Sequence, residues 1–298
     1  MRRPTRDRLV SLALLAPSVI VIAVFVYGFI AFSGYASLTR WDSLMPDFTF
    51  VGLRNYERLF AIPRFQIDLG NIVTFTGLFI PICLIVGFLL AVLLDQRVRG
   101  ENLFRSIFLF PMAISAVVTG VAWRWMLDPG TAGGAHGVNA LLDGAGLGFL
   151  KNGWYTDPAI GIKAVVIAAG WQMSGYAMAM YLAGLRSVPQ ELREAARIDG
   201  AGELGVYRHV VLPLLRPITL SAAIILGQIA LNLFALVVSM TGPGPGFSTD
   251  VPALFMFETT FRASNFAQGA AIAMLMLVLV ALLVVPYLIH TFRHEVRA

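Results

Sequence analysis

Charge is scarce in this chain: Asp, Glu, Lys and Arg make up 13% of its 298 residues, about half the share found in a soluble globular domain. In their place stand hydrophobic residues, 58% of the sequence, at a mean hydropathy of +0.77. They come in long blocks instead of alternating with polar residues, so lipid is the solvent for most of the chain. A cytosolic single-domain enzyme and an intrinsically disordered polymer are both excluded. Cysteine is nearly absent, and the one present, Cys83, permits neither an intrachain disulfide nor a cysteine-built metal site. The four histidines, His136, His209, His290 and His294, stand apart without metal-ligand spacing. The sequence lacks Gly-x-x-x-x-Gly-Lys-Ser/Thr, the loop that cradles nucleotide phosphates, so it does not hydrolyse ATP by that route. No Ser/His/Asp arrangement appears, and the 22 Lys and Arg against 17 Asp and Glu are too scattered for a nucleic-acid footprint.

A helix needs about 20 mostly apolar residues to cross a hydrocarbon core of roughly 30 Å. Six stretches meet this condition, at about 9–32, 71–94, 104–126, 159–182, 217–240 and 269–292. No soluble domain or short repeat interrupts them, so residues 1–298 read as a single all-α membrane domain. Asp and Glu are absent from mid-span positions. Pro17, Pro81, Pro111, Pro213, Pro217 and Pro286, at or inside the span ends, read either as helix stops or as breaks in a bundle with moving parts.

Six crossings place both termini on one side, and basic residues decide which. Arg2, Arg3, Arg6, Arg8, Arg97, Arg99, Arg105, Arg186, Arg193, Arg197, Arg208, Arg216, Arg293 and Arg297, 14 of the 22, fall on the terminal side. The other eight, Arg40, Arg54, Arg58, Arg64, Arg124, Lys151, Lys163 and Arg262, are balanced by acids such as Asp42, Asp47, Glu57, Asp68 and Asp128. Both termini are therefore expected in the cytoplasm. The apolar run after Met1–Arg8 is about 24 residues, longer than the 7–15 of a cleaved signal sequence, so the first span is expected to be retained. Trp41, Trp123, Trp125, Trp154 and Tyr155 near the interfaces read as an aromatic belt.

One polar segment stands among these apolar blocks, the cytoplasmic loop 184–216. Its helical stretch from Gln190 to Ile198 carries Glu191, Arg193, Glu194 and Arg197, followed by Asp199 and the breaks Gly200 and Gly202. A helix lying on a bilayer shows a bulky apolar face, whereas this one offers Ala195, Ala196, Gly200 and Ala201, which suit insertion into a protein cleft.

The run Glu194-Ala195-Ala196, three residues, Gly200, nine residues, Val210, one residue, Leu212-Pro213 resembles the EAA loop of permease subunits of binding-protein-dependent ABC importers, with Val210 in place of the more usual Ile. "FVGLRNYERLF", "NLFRSIFLFPMAIS", "AWRWMLDPG", "AARIDGAG" and "SMTGPGPGFSTDVP" are similar to the carbohydrate branch, the maltose- and glycerol-phosphate-type permeases. "MYLAGLRSVPQ" is most similar to the glucose/mannose-type members. Two departures are Ala235, where the family often has a polar residue, and Pro243, inserted into a glycine run.

The resemblance implies the type I ABC importer permease fold, with six transmembrane helices and a cytoplasmic EAA coupling helix, in a bacterial plasma membrane. It implies a second homologous permease that completes the pore, an ABC ATPase dimer that carries ATP and Mg, and an extracytoplasmic solute-binding protein that delivers a sugar. No cofactor is expected on this chain. Glu194 is then the expected anchor to the ATPase, with Ala195 and Ala196 permitting close approach, Arg197 and Asp199 beside them, Gly200 making the turn and Pro213 ending the motif. Read from its neighbours alone, Glu194 is equally a surface acid paired with Arg197 three residues on.

For the pathway, Gln172 and Tyr176 in the fourth span and Gln228 and Asn232 in the fifth are the candidates, because neutral amides and aromatic faces suit a polyol. Gln228 and Asn232, four apart, are expected on one helix face. Interhelical hydrogen bonding is the alternative role for all four. The resemblance points instead to Leu226, Ile229, Ala230 and Leu233. A glycerol-phosphate compound or a polyamine is the alternative cargo, while an ion-driven carrier would need an intramembrane acid or His and an inverted repeat, neither of which is visible.

Overall fold

The computed structural model describes residues 14–96, 99–130 and 136–295. Arg2, Arg3, Arg6, Arg8, Arg97 and Arg297, and the start of the first expected span, lie outside the described residues. The architecture is helical throughout, and the described chain divides into two compact units. One holds the chain up to Ile62 with Met256–Leu279, and the other holds Pro63–Phe255 with the chain from Val280.

In the first unit, α1 (Leu14–Ala36) presents apolar side chains all round, none of them buried through its core window, as a span facing lipid requires. A turn follows, in which Asn55 at the start of α2 (Arg54–Ala61) donates to the carbonyls of Ser37 and Thr39, both at 2.8 Å. This is the role of Asn in "FVGLRNYERLF": a buried amide that satisfies two turn carbonyls. Trp41 departs from a simple belt residue, since its ring stacks on Phe266 at 4.8 Å and meets Phe48 edge-on at 5.4 Å.

The second unit is built on α3 (Pro63–Asp95). At 33 residues it is about 50 Å long, more than a bilayer core demands. Its buried positions, Phe65, Asp68, Ile72, Phe75, Phe79, Cys83, Gly87, Ala91 and Leu94, recur at steps of three and four and so form one stripe. After α3 come α4 (Glu101–Ala113), α5 (Ala116–Met126), α6 (Gly137–Gly144) and α7 (Gly161–Ser187). The α3 stripe packs along α7, and a Cβ on Gly87 would come within 2.5 Å of the Ala177 Cβ, so glycine there brings the two backbones together.

Two expected spans are not continuous helices. The third is α4 followed by α5 at a bend of 98°. Ile114 and Ser115 are extended between them, and the Ser115 hydroxyl caps α5 by accepting the Val118 N–H. The fifth is entered from α9 (Glu203–Leu214) through a bend of 65° into α10 (Arg216–Leu231), where Pro217 sits in the first turn that tolerates it. It breaks again at Asn232 and Leu233 before α11 (Phe234–Met240). α8 (Gln190–Ile198) lies in the loop after α7. α12 (Pro252–Phe257) and α13 (Phe266–Glu295) complete the chain.

Among the described residues, three helices can by length and composition cross a membrane alone, namely α1, α3 and the Phe266–Pro286 part of α13, and the two bent pairs, each taken as one span, raise the number to five. α7 occupies the fourth expected span and is 27 residues long, yet it is not apolar enough to be counted. The physical reason lies in its surroundings: 17 of its residues are buried against protein, so glycine, Ser174 and Gln172 are tolerated where lipid-facing Leu and Ile would otherwise stand.

Candidate functional site

The EAA segment forms a helix because Val188 and Pro189 hold extended backbone that stops α7, after which Gln190–Ile198 is a run of good helix formers. It ends at Gly200, whose φ of +87° lies in the left-handed region. The Ala201 N–H bonds the Ala196 carbonyl and the Gly200 N–H bonds the Arg197 carbonyl, each at 3.0 Å, the paired closure of a Schellman motif. The two alanines then part company: Ala195 faces solvent, while Ala196 and Ala201 pack on a buried cluster. In that cluster Val206, Val211 and Leu215 meet Ala91 and Leu94 of α3 and Met178, Tyr181, Leu182 and Leu185 of α7. Pro213 lies in the last turn of α9, just after a π-helical turn at Tyr207–Val211.

Glu194, Asp199 and Gly200 are exposed, and beside them Ile198 and Leu204 present 86% and 83% of their surface. Such apolar exposure at the tip of a polar loop marks a contact surface. The Glu194–Arg197 pair expected from spacing does not form. Arg197 instead forks onto Glu203, Nε to Oε1 at 2.8 Å and Nη2 to Oε2 at 3.2 Å, while Glu194 accepts from Gln190 at 2.8 Å. The Arg197 hydrogen bond holds the Glu203 carboxyl below its usual range and raises the guanidinium in turn. Glu194 is left with its charge facing outward.

Between the two helix breaks lies a cavity of about 270 Å³ lined by Phe79, Met112, Ile114, Gln172, Ile229, Asn232 and Leu233 among others. It unites Gln172 and Asn232 from the pathway candidates, together with Ile229 and Leu233 of the alternative face. Tyr176 is half-buried and Gln228 is exposed, and neither lines it. The shared face expected for Gln228 and Asn232 is not realised, because α10 ends at Leu231 and Asn232 has left helical geometry at φ −106°, ψ 43°. Gln172 is buried and its Nε2 donates to the Ile114 carbonyl at 2.7 Å, supplying a partner to backbone that the bend leaves outside any helix. Ile114 itself escaped sequence reasoning; Ser115, placed before an apolar run and three residues ahead of Val118, was the N-cap signal that could have exposed the break.

The "TGPGPGFSTDVP" loop is pinned to the start of α3. Arg64 Nε lies 2.6 Å from Asp250 Oδ2, its guanidinium sits 4.7 Å and 4.6 Å from the rings of Phe247 and Phe255, and Asn71 donates to the carbonyls of Phe247 and Asp250 at 2.8 and 2.9 Å. Pro243 is thus held in an ordered loop, whose Thr249 hydroxyl donates to the Gly242 carbonyl at 3.0 Å.

Residues 84–297 match the family of binding-protein-dependent transport system inner membrane components. A probable ABC transporter permease of Pyrococcus horikoshii is 44% identical over 95% of this chain and 96% of its own. The xylose/arabinose import permease of Haloferax volcanii is 34% identical over 92% and 85%. The trehalose/maltose transport system permease of Thermococcus litoralis is 30% identical over 97% and 96%. Among solved structures, a bacterial ABC transporter that imports the acidic polysaccharide alginate shares the fold, with a TM-score of 0.80 over 97% of this chain and 96% of that one at 21% identity.

Proposed function

Since the chain belongs to the inner membrane components of binding-protein-dependent transport systems, we propose that it forms half of the translocation pore of an ATP-driven importer for a neutral sugar. A second homologous permease completes the pore, and an extracytoplasmic solute-binding protein delivers the cargo. An ABC ATPase dimer holds ATP and Mg, receiving α8 in a cleft of one subunit and the coupling helix of the second permease in a cleft of the other. Both termini and the 184–216 loop face the cytoplasm, as the arginine bias indicates.

The observation that carries this reading is the geometry of α8: an outward Glu194, Ala195 and Ile198 on a helix whose other side rests through Ala196 on the buried cluster shared by α9, α3 and α7. Glu194 anchors electrostatically, Ala195 lets the partner backbone approach, and Gly200 returns the chain to the bundle. Closure of the ATPase dimer moves both coupling helices, and the cluster around Leu185, Val206 and Leu215 passes the movement to α3 and α7. A sugar is favoured over a glycerol-phosphate compound or a polyamine because the central cavity is lined by amides and apolar groups, without a charged side chain to neutralise an ionic cargo. Relatives named for xylose/arabinose and for trehalose/maltose support the same class.

Purification of the chain from its own cell in mild detergent tests the reading. Recovery with a second permease and an ATP-binding subunit is the expected result. A lone chain or simple homodimer, reproduced across detergents, or proton-coupled uptake by this chain alone in vesicles, would overturn it.

A further inference from the structure

α8 buries none of its own residues fully. Its Ala196 rests on the apolar cluster, but beside that contact a cavity of about 730 Å³, lined by Asp95, Glu101, Arg186, Gln190, Arg193 and Arg197, opens between α8 and the ends of α3, α4 and α7. On this side of the helix, a force applied to the outer face needs something that spans the gap. Arg193 does so. Its Nη1 lies 2.9 Å from Asp95 Oδ2, and its Nη2 donates to the Leu185 carbonyl at 2.7 Å. The side chains of Arg193 and Asp95 are only 17% and 13% exposed, so the pair is screened little by solvent.

Both partners are at helix C-termini. Asp95 is the last residue of α3, where a carboxylate opposes the helix dipole and is unfavourable without a cation. The Leu185 carbonyl belongs to the last turn of α7, which a cation favours. One guanidinium answers both, its planar fork directing separate N–H groups at acceptors on two different helices. The apolar seat under α9 grips the far end of the loop, whereas Arg193 grips the docking helix itself at the residue before Glu194.

We infer that Arg193 is a positioning residue for transport: a strut that transmits movement of the docked helix to α3 through Asp95 and to α7 through the Leu185 carbonyl. The inference rests on the importer reading above. Without the strut, α8 swings into the cavity behind it, and ATP turnover continues without moving the bundle.

The test uses the whole complex in proteoliposomes, with uptake of labelled xylose, arabinose, trehalose or maltose, whichever the unaltered complex accumulates, measured alongside ATP hydrolysis. R193Q and D95N complexes of normal subunit composition are expected to lose uptake per ATP by about tenfold or more, and the swap Arg193→Asp with Asp95→Arg to return it to within about threefold, as coupled pairs behave in double-mutant cycles. Unchanged uptake per ATP in both single variants, or loss that the assembled swap does not relieve, overturns the strut. Should the swapped chain not assemble, R193K decides: recovery of coupling above R193Q supports the strut, and equal loss removes it. Absence of an ATPase from the unaltered complex would instead defeat the importer reading. If that complex turns over ATP but accumulates none of the four sugars, the cargo assignment fails, and ATP-driven distance changes between spin labels at exposed Ile85 and Val238 replace uptake as the readout.

Discussion

The Gln172 side chain donates to the backbone carbonyl of Ile114, 58 residues away, at 2.7 Å. Through this bond α7 braces the 98° bend between α4 and α5 at the wall of the central cavity. Gln172 is thus engaged in holding the shape of the cavity wall, and one of its polar atoms is already committed to the protein.

Gln172→Leu removes that donor and leaves the part-buried Ile114 carbonyl without this partner, at a cost of about 1–3 kcal/mol. The expected outcome is a lower melting temperature of the purified complex together with reduced transport. Gln172→Glu, which keeps an acceptor but loses the donor, should behave like Leu and not like the parent. Thermal unfolding followed alongside uptake checks both, and a fully stable Q172L variant that loses only sugar affinity would return the residue to a direct ligand role.

Glu194→Lys reverses the outward charge of α8 without touching its seat, since Glu194 is exposed and accepts a hydrogen bond from Gln190, a neighbour on the same helix. Transport is expected to be abolished with membrane insertion and protein level unchanged. Uptake compared with an immunoblot of the membrane fraction decides it.

Two glycines separate conformational from steric demands. A methyl group on Gly200 meets open space, so Gly200→Ala costs only the left-handed backbone, about 1–2 kcal/mol. On Gly175 the same methyl would overlap the Phe108 carbonyl oxygen, a backbone atom of α4 that cannot turn aside. Gly175→Ala is therefore expected to reduce the amount of folded chain sharply, while Gly200→Ala leaves it near normal with weakened coupling. Size-exclusion profiles of the two variants distinguish these outcomes.

Asp250→Asn replaces the carboxylate of a charge-assisted hydrogen bond to Arg64 with a neutral amide, at an expected cost of about 1.5–3 kcal/mol. The 241–252 loop should then become susceptible to protease added from the outer side while the coupling loop stays resistant. Equal protection of both loops in D250N and parent would count against the latch.

The nature of this chain was legible in its sequence wherever the cause was local. Lipid imposes long apolar blocks, which placed the helices. The spacing from Glu194 through Gly200 to Pro213 marked a helix and its turn, because a left-handed cap and a proline leave their signature in consecutive residues. Tertiary contacts decided the rest. Spacing put Arg197 beside Glu194, yet a Glu203 brought back by the Gly200 turn offered both carboxylate oxygens to the guanidinium. Hydropathy drew the third and fifth spans as single helices, but Ile114 and Asn232 could leave helical geometry because neighbours in space, Gln172 above all, took up the freed backbone groups. A polar group in a membrane is governed by the partner it finds, and that partner is set by how distant helices pack.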